Sequence, residues 1–351
     1  MPGAAKRFWH IRECFGSAGA AWQASETQLM EMGGFQHALA ANIVALRKTF
    51  VAKAFMDKLR QERIQYIYHL EPEYPSQLQH IYDPPPGLFV RGSIKVTEQP
   101  MVAMVGSRKP TAYGIAVAEH LSAKVAGAGV TVVSGLAKGV DTAVHRGALK
   151  GGGTTLAVLG CGVDVVYPKE NARLMEQMIK KGAVVSEFPP GAKPLAWHFP
   201  LRNRLISGLS QAVVVVEAAA RSGALITADM ALEQGREVMA VPGNISSPLS
   251  CGPNRLLKQG ARLVSGPEDI LEDLGLQRAV STAEEKRQAL SALSGEEKTV
   301  AGLLSLEPIS IDTLVERSGL TAQQVLSALM FLELKGFARQ LPGKYYVMVD
   351  Y

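Results

Sequence analysis

The chain has few cysteines, three in 351 residues, at Cys14, Cys161 and Cys251. An odd number so widely spaced argues against a disulfide framework, and none stands in a CxxC or Cys/His cluster suited to zinc. Long apolar runs are missing too. Nothing approaches the roughly 18 uninterrupted apolar residues that span a bilayer. The opening MPGAAKRFWHIRECF has no apolar stretch of the kind a secretory signal needs. No Walker phosphate loop, spaced set of metal ligands or matched nucleophile–base pair can be read along the chain. These absences point to a reducing, cytoplasmic setting and leave metal-site, P-loop and nucleophile–base catalysis without a sequence signature.

What is present is basic charge in one place. The formal net charge is +5, yet residues 101–265 alone hold 18 Lys/Arg against 10 Asp/Glu. Residues 1–70 are also net basic, with 9 against 5, whereas 71–100, 266–293 and 294–351 are each net acidic. An anionic partner is therefore expected on 101–265 rather than on the tail.

Residues 7–65 read as helices separated by glycine turns, with Ser25 and Gln28 spaced as a capping box. Met32-Gly33-Gly34-Phe35 fits two readings. One is the hairpin of a helix-hairpin-helix motif, whose backbone N–H groups could take a phosphate; the other is a plain turn in a helical bundle. Six prolines in 72–100 mark a connector with a short strand at 88–92. From 101 onward, near-continuous apolar runs at 101–105, 130–133, 155–159, 183–185, 212–216 and 237–241 alternate with helical stretches at 113–126, 141–150, 172–180 and 224–234. Strands that apolar are buried on both faces. The pattern predicts an α/β fold: an extended Rossmann-like, doubly wound, mainly parallel sheet, with ligands gathered outside the carboxyl ends of its strands. After Asp269 the chain turns polar and acidic. Residues 290–349 then read as a winged helix, with helices near 296–304, 311–318 and 321–335 and a wing from 337–341 and 345–348. The third helix offers Lys335 alone as a cation, which favours protein contact or regulation over reading a DNA groove. The expected domains are thus a helical module at 1–70, a Rossmann-like domain at 71–274 with a proline-rich entry at 71–100, a linker at 275–289 and a winged helix at 290–351.

The loops that follow the strands carry the chemistry. In MVAMVGSRKP, residues 101–110, Gly106 allows a tight turn and close approach of a ligand. Ser107 is placed to cap the next helix, and Arg108 presents a planar fork that fits phosphate oxygens. A dinucleotide site would need more glycines and an acid after the second strand, but that strand ends VVSG. The second loop supplies Gly135 and Lys138, with Asp141 as a helix cap and His145 as a packed helix residue. The third supplies Gly160, a small buried thiol at Cys161, and then Lys169 and Arg173. In HFPLRNRLISG, Arg202, Asn203 and Arg204 open a helix, where residues two apart point about 200° apart. One arginine can reach a ligand while the other braces Glu187 or Glu217. Finally Ser222-Gly223 begins a helix, with a hydroxyl one turn on at Thr227, an arrangement that receives anions. Tyr113, Tyr167 and Trp197 are the candidates for stacking on bases.

The ordered blocks VGSRKPTAYG, SGLAKGVDTAVHRGAL, LAVLGCGVDVVYPKEN, VVSEFPPG, FPLRNRLISGLS, VVVVEAAARSGALITADMALEQGR and AVPG closely resemble the bacterial DNA-processing protein DprA (Smf) family. The resemblance covers nearly all of 72–274. It implies a non-catalytic single-stranded DNA-binding protein of natural transformation and competence. Members protect incoming strands, load the RecA recombinase onto them, dimerise through the Rossmann-like domain and need no known cofactor. The family's loop arginine falls on Arg108 and a second basic contact on Arg173, with the backbone around Gly135 and Gly160 lining the same pocket. A rival reading is a nucleotide-processing enzyme of the lysine-decarboxylase-like Rossmann group. Its PGGxGTxxE motif would have to fall on EAAARSGALITA, residues 217–228, which lacks both the paired glycines and the final glutamate.

Overall fold

The computed structural model describes residues 4–276, 293–305, 307–334 and 337–348. Five helices come first: α1 Ala4–Phe15, α2 Ala18–Gln23, α3 Glu26–Glu31, α4 His37–Thr49 and α5 Ala52–Gln61. The Ser25/Gln28 capping box is formed, each side chain bonding the other residue's backbone N–H. At the glycine turn, Phe35 N–H bonds back to Leu29 C=O at 3.3 Å, the way a helix end satisfies its own last carbonyls. At least this turn amide is committed to closing α3.

Next come β1 Gln65–Tyr68, α6 Ser76–Gln79, β2 Gly87–Gly92, β3 Met101–Val105, α7 Ala112–Gly127, β4 Thr131–Ser134, α8 Val140–Lys150 and β5 Thr155–Val158. These are followed by α9 Ala172–Lys181, β6 Ala183–Ser186, α10 His198–Leu209, β7 Ala212–Val215, α11 Gly223–Glu233, β8 Glu237–Ala240, α12 Cys251–Lys258, β9 Arg262–Leu263 and α13 Pro267–Asp273. All nine strands form one sheet, in the order β1-β2-β6-β5-β4-β3-β7-β8-β9. The neighbours from β6 to β9 pair in parallel, and β1–β2 and β2–β6 are antiparallel. The sheet therefore begins at Gln65, ahead of the boundary expected at residue 70, because β1 pairs with β2 rather than joining the helices before it.

Strands β3 to β7 are buried along their whole length. One face packs on α7 and α8 through Val117, Leu121, Val125 and Val144 and on α9 through Leu174, Met175 and Met178. The other packs on α10 and α11 through Leu205, Ile206, Leu209 and Leu225. β3 lies between β4 and β7, so the chain winds outward in both directions from it. A crevice opens at such a switch point. The winged-helix part consists of α14 Gly295–Leu303, β10 Ile309–Ser310, α15 Ile311–Ser318, α16 Ala322–Leu334, β11 Ala338–Leu341 and β12 Tyr345–Met348. It has its own core around Val300, Leu314, Val325 and Leu329. Most of the expected linker and Lys335 lie outside the described residues.

Candidate nucleic-acid interface

At the carboxyl ends of β3, β4 and β7 the structure holds an open pocket of about 630 Å³. Its walls are the loop after β3, the start of α10 and the start of α11. The β3 loop is set by the end of β7. Ser107 N–H donates to Glu217 C=O at 2.6 Å. The buried Glu217 carboxylate accepts from the Thr111 amide at 2.9 Å and the Thr111 hydroxyl at 2.6 Å. Thr111, rather than Ser107, caps α7; the Ser107 hydroxyl instead accepts from Lys109 N–H at 3.1 Å, closing a local turn. On the other side Val140 N–H donates to Ser107 C=O at 3.0 Å. That approach requires Gly139, at φ 82°, whose Cβ would collide with the Ser107 carbonyl.

The glycines need a different account from the one expected. A Cβ on Gly106 would meet Val140 at 2.7 Å and Glu217 C=O at 2.9 Å. Gly106 lines the pocket, but its missing side chain admits α8 and β7, not a ligand. At Gly135 a Cβ would lie 2.6 Å from the Arg202 guanidinium, and at Gly160 it would lie 3.0 Å from the Phe199 ring. Only at Gly223, of these four, is the space open.

The two helix arginines do point apart, and both are buried. Arg204 braces Glu187 with two bonds of 2.6 and 2.8 Å and donates to Asp83 C=O at 3.1 Å. It does not line the pocket, and Glu217 is engaged by Thr111 instead. Arg202 forms the pocket floor. It donates to Gly135 C=O at 2.8 Å and also to Val158 C=O, and its Nε has no hydrogen-bond partner among the described residues. Burial pulls its pKa down to about 10, with Asp141 opposing that and Arg108 adding to it; at neutral pH it remains a cation.

The remaining titratable groups at the floor are tied to the fold. Asp141 does not cap α8. Its Oδ2 accepts from the Gly135 and Ala137 amides at 3.2 and 3.3 Å, and burial raises its pKa against the pull of Arg202. His145 Nε2 accepts from Leu136 N–H at 3.3 Å, which leaves Nδ1–H for the Thr155 hydroxyl at 2.7 Å. Burial and then Arg202 lower its pKa to about 3, so the ring is neutral. Leu136 sits at φ 55°, a strained conformation for its side chain. Its carbonyl is held by Asn171 at 3.0 Å. The Cys161 thiol is pushed up to about 11 by burial and donates to Val165 C=O at 3.4 Å. None of these is an exposed acid, base or thiolate facing the opening.

The rim is different. Arg108 and Arg221 are exposed, line the opening, and have no carboxylate within 4 Å among the described residues. Phe199 lies between guanidiniums: Arg108 Cζ is 5.5 Å and Arg202 Cζ 5.9 Å from its ring centroid. Tyr167 stacks on it obliquely, centroids 5.5 Å apart. Ser222 caps α11 through the Ala224 amide at 3.3 Å, and Asn203 donates to Gly223 C=O at 3.4 Å. A cationic fork, an exposed aromatic ring and a helix N-terminus thus converge on one opening, an arrangement suited to a phosphodiester with a flanking base.

Of the expected site residues, Gly106, Ser107, Arg108, Arg202, Asn203, Ser222 and Gly223 line this pocket, whereas Gly135, Lys138, Gly160, Lys169, Arg173 and Arg204 do not. Lys138 is exposed and paired with Glu170 at 2.6 Å; Lys169 and Arg173 are exposed at the start of α9. Of the stacking candidates only Tyr167 lines the pocket; Tyr113 bonds Pro242 C=O at 3.4 Å and Trp197 packs edge-on against His198. Arg221 and Phe199 also line the pocket, beyond the residues expected from the sequence. Arg221 directly precedes the helix-opening Ser-Gly, a signal that was there to be read. Phe199 had none, because its ring is placed by tertiary packing.

Comparison with known proteins agrees with this architecture. A family model described as DNA recombination-mediator protein A matches residues 65–275, and one described as the DprA winged helix domain matches 284–344. The chain is 43% identical over 292 residues to Protein Smf of Escherichia coli K12, covering 79% of this chain and 77% of that one. Among solved structures it is similar to DNA processing protein A from Streptococcus pneumoniae, with TM-score 0.68, 37% identity, and 77% of this chain and 93% of that one covered. It is also similar to DNA processing protein A from Helicobacter pylori, described for its single-stranded DNA binding mode, with TM-score 0.56, 26% identity, and 62% and 98% covered. With its parallel sheet, its appended winged helix and these matches over most of its length, the chain belongs to the DprA (Smf) family of DNA-processing proteins.

Proposed function

We propose that this protein binds single-stranded DNA without catalysis, the strand's phosphates seated on the rim of the strand-end pocket, and that it hands the strand to the RecA recombinase during natural transformation. The observation that carries the reading is Arg108, exposed at the rim over Phe199. The Helicobacter pylori relative, described as binding single-stranded DNA, and the match to a recombination mediator support it. Phosphate contacts fix the strand without reading its sequence, and stacking on the Phe199–Tyr167 pair would add roughly 1–3 kcal/mol per base. Arg202 serves this site from below as a buried positive charge; the remaining expected cations stand outside the pocket. A homodimer formed through the Rossmann-like domain belongs to the same reading.

The test is a titration of oligo-dT against matched duplex at two salt concentrations. Preference for the single strand, with affinity falling as salt rises, is expected; equal binding to duplex would overturn the substrate class. In the winged helix, α16 exposes Leu326, Met330 and Phe331, a surface better suited to protein than to phosphate. Deleting residues 290–351 should therefore leave most single-strand binding intact. The enzyme reading is checked by incubation with AMP-type nucleotides, where release of free base would contradict the proposal. The stretch 217–228 has Glu217 as its one carboxylate, ahead of where the motif's final glutamate would stand, and that carboxylate is committed to Thr111.

A further inference from the structure

Lys138, Lys169 and Arg173 do not line the pocket, yet they stand where α8 and α9 begin. Between those two helices lies a second concavity of about 530 Å³, lined by Arg146, Leu149, Lys150, Gln177, Lys180 and Lys181. Four of these six residues are cationic and none is acidic. Their spacing makes a track. Arg173, Gln177 and Lys180 stand at i, i+4 and i+7 on α9, and Arg146 and Lys150 at i and i+4 on α8, so each set forms one stripe. The buried faces of the helices are supplied by other residues, Leu174, Met175 and Met178 on α9 and Val144 and Ala148 on α8. The cations therefore carry none of the core packing.

The charge balance is uneven. Lys150 is held by Glu119 of α7 at 2.7 Å, and Arg339 also comes within 3.8 Å of that carboxylate; Lys138 is held by Glu170. Glu176 is exposed on α9 beside Gln177. Among the described residues Arg146, Arg173, Lys180 and Lys181 have no carboxylate within 4 Å. Like charges gathered in a concavity repel one another, and an anion laid between them relieves that repulsion. Asn171 fixes the upper end, donating to Leu136 C=O at 3.0 Å and to the Thr142 hydroxyl at 2.8 Å. The start of α9 is thereby tied to the loop that follows β4, beside the pocket. From Arg173 the stripe descends the length of α9, about 15 Å for a helix of ten residues.

We infer that the groove between α8 and α9 is a second phosphate track, along which a single nucleic-acid strand continues after leaving the pocket rim. The inference rests on the pocket being the primary site, and its test separates the two. In the full-length chain, Arg146→Gln, Lys180→Gln and Lys181→Gln are combined, and Arg108→Ala is made separately. Labelled oligo-dT of about six and about twenty nucleotides is titrated by anisotropy at two salt concentrations. The triple variant should bind the long oligonucleotide about tenfold more weakly, with its log–log salt slope flatter by about 2, near 0.7 for each of three phosphates no longer neutralised. Its affinity for the short one should be unchanged. Arg108→Ala should weaken both. The charge-keeping set Arg146→Lys, Lys180→Arg and Lys181→Arg should restore long-strand binding, and unchanged melting curves exclude misfolding as the cause. An unaltered affinity and slope on the long strand would overturn the track. So would an equal loss on both lengths, which would mean a diffuse field rather than a path. If Arg108→Ala has no effect while the triple variant does, the pocket reading fails and the groove becomes the primary site. If the wild-type chain binds neither length, both fall together.

Discussion

The floor and the rim of the strand-end pocket are built from the same side chain put to opposite uses. Arg202 at the floor is 3% exposed and spends its hydrogen bonds on two carbonyl groups of the sheet edge. Arg108 and Arg221 at the rim are exposed and bond to nothing charged among the described residues. A buried guanidinium is costly unless surrounded by acceptors and an opposite charge, so Arg202 is a structural member whose charge the ligand feels only from beneath. A rim guanidinium gives up little water and keeps its fork free for phosphate. Residue type alone does not mark a contact; what the guanidinium already holds decides it.

That contrast can be broken most severely at the floor. Arg202→Met leaves Asp141 without its opposing charge and two carbonyls without donors. It should cost about 3–5 kcal/mol of stability, read by chemical denaturation. A loss below about 1 kcal/mol would show that the floor is not held by this side chain.

A smaller effect is expected from His145, which belongs to the same buried network. Its pKa is near 3 in the folded chain and near 6.5 when unfolded, so below pH 6.5 the unfolded state takes up the extra proton. Stability from this group is full above about pH 6.5 and is lost as the pH falls toward 3, by at most about 1.4 kcal/mol per pH unit. Asp141, whose pKa is raised, contributes with the opposite sign over its own range. His145→Asn should therefore flatten the acid limb of stability against pH relative to the wild type; parallel curves would mean that the ring is not buried neutral.

At the rim the effect on folding should be smallest. Arg108→Ala should change stability by no more than about 0.5 kcal/mol. It should weaken single-strand binding at every sequence and flatten the salt slope by about 0.7 for each phosphate that the guanidinium neutralises. Unchanged binding would remove Arg108 from the site.

Much of the fold was legible because its strands, such as MVAMV and AVVV, are apolar on both faces and cannot be mistaken for half-exposed ones. β1, QYIY, is not legible in the sequence because it is four residues long and half exposed; its partner β2 makes it a strand. At the site, helical periodicity told that Arg202 and Arg204 diverge, but not that Glu187 rather than Glu217 would take Arg204, since that depends on which strand ends meet. The glycines misled for a physical reason. A missing side chain shows that something comes close, and the sequence does not distinguish a ligand from Val140, a guanidinium or Phe199.

One consequence follows from Glu217. Its carbonyl holds the Ser107 amide and its carboxylate holds Thr111, while Arg221 stands four residues further along the same loop. The two rim arginines, far apart in the chain, thus stand on loops that Glu217 ties together. A strand tugging on Arg108 loads the β7 loop as well, so the rim should give way as a unit. The amides of Ser107 and Thr111 should then share one hydrogen-exchange rate, and that rate should slow when either arginine is occupied.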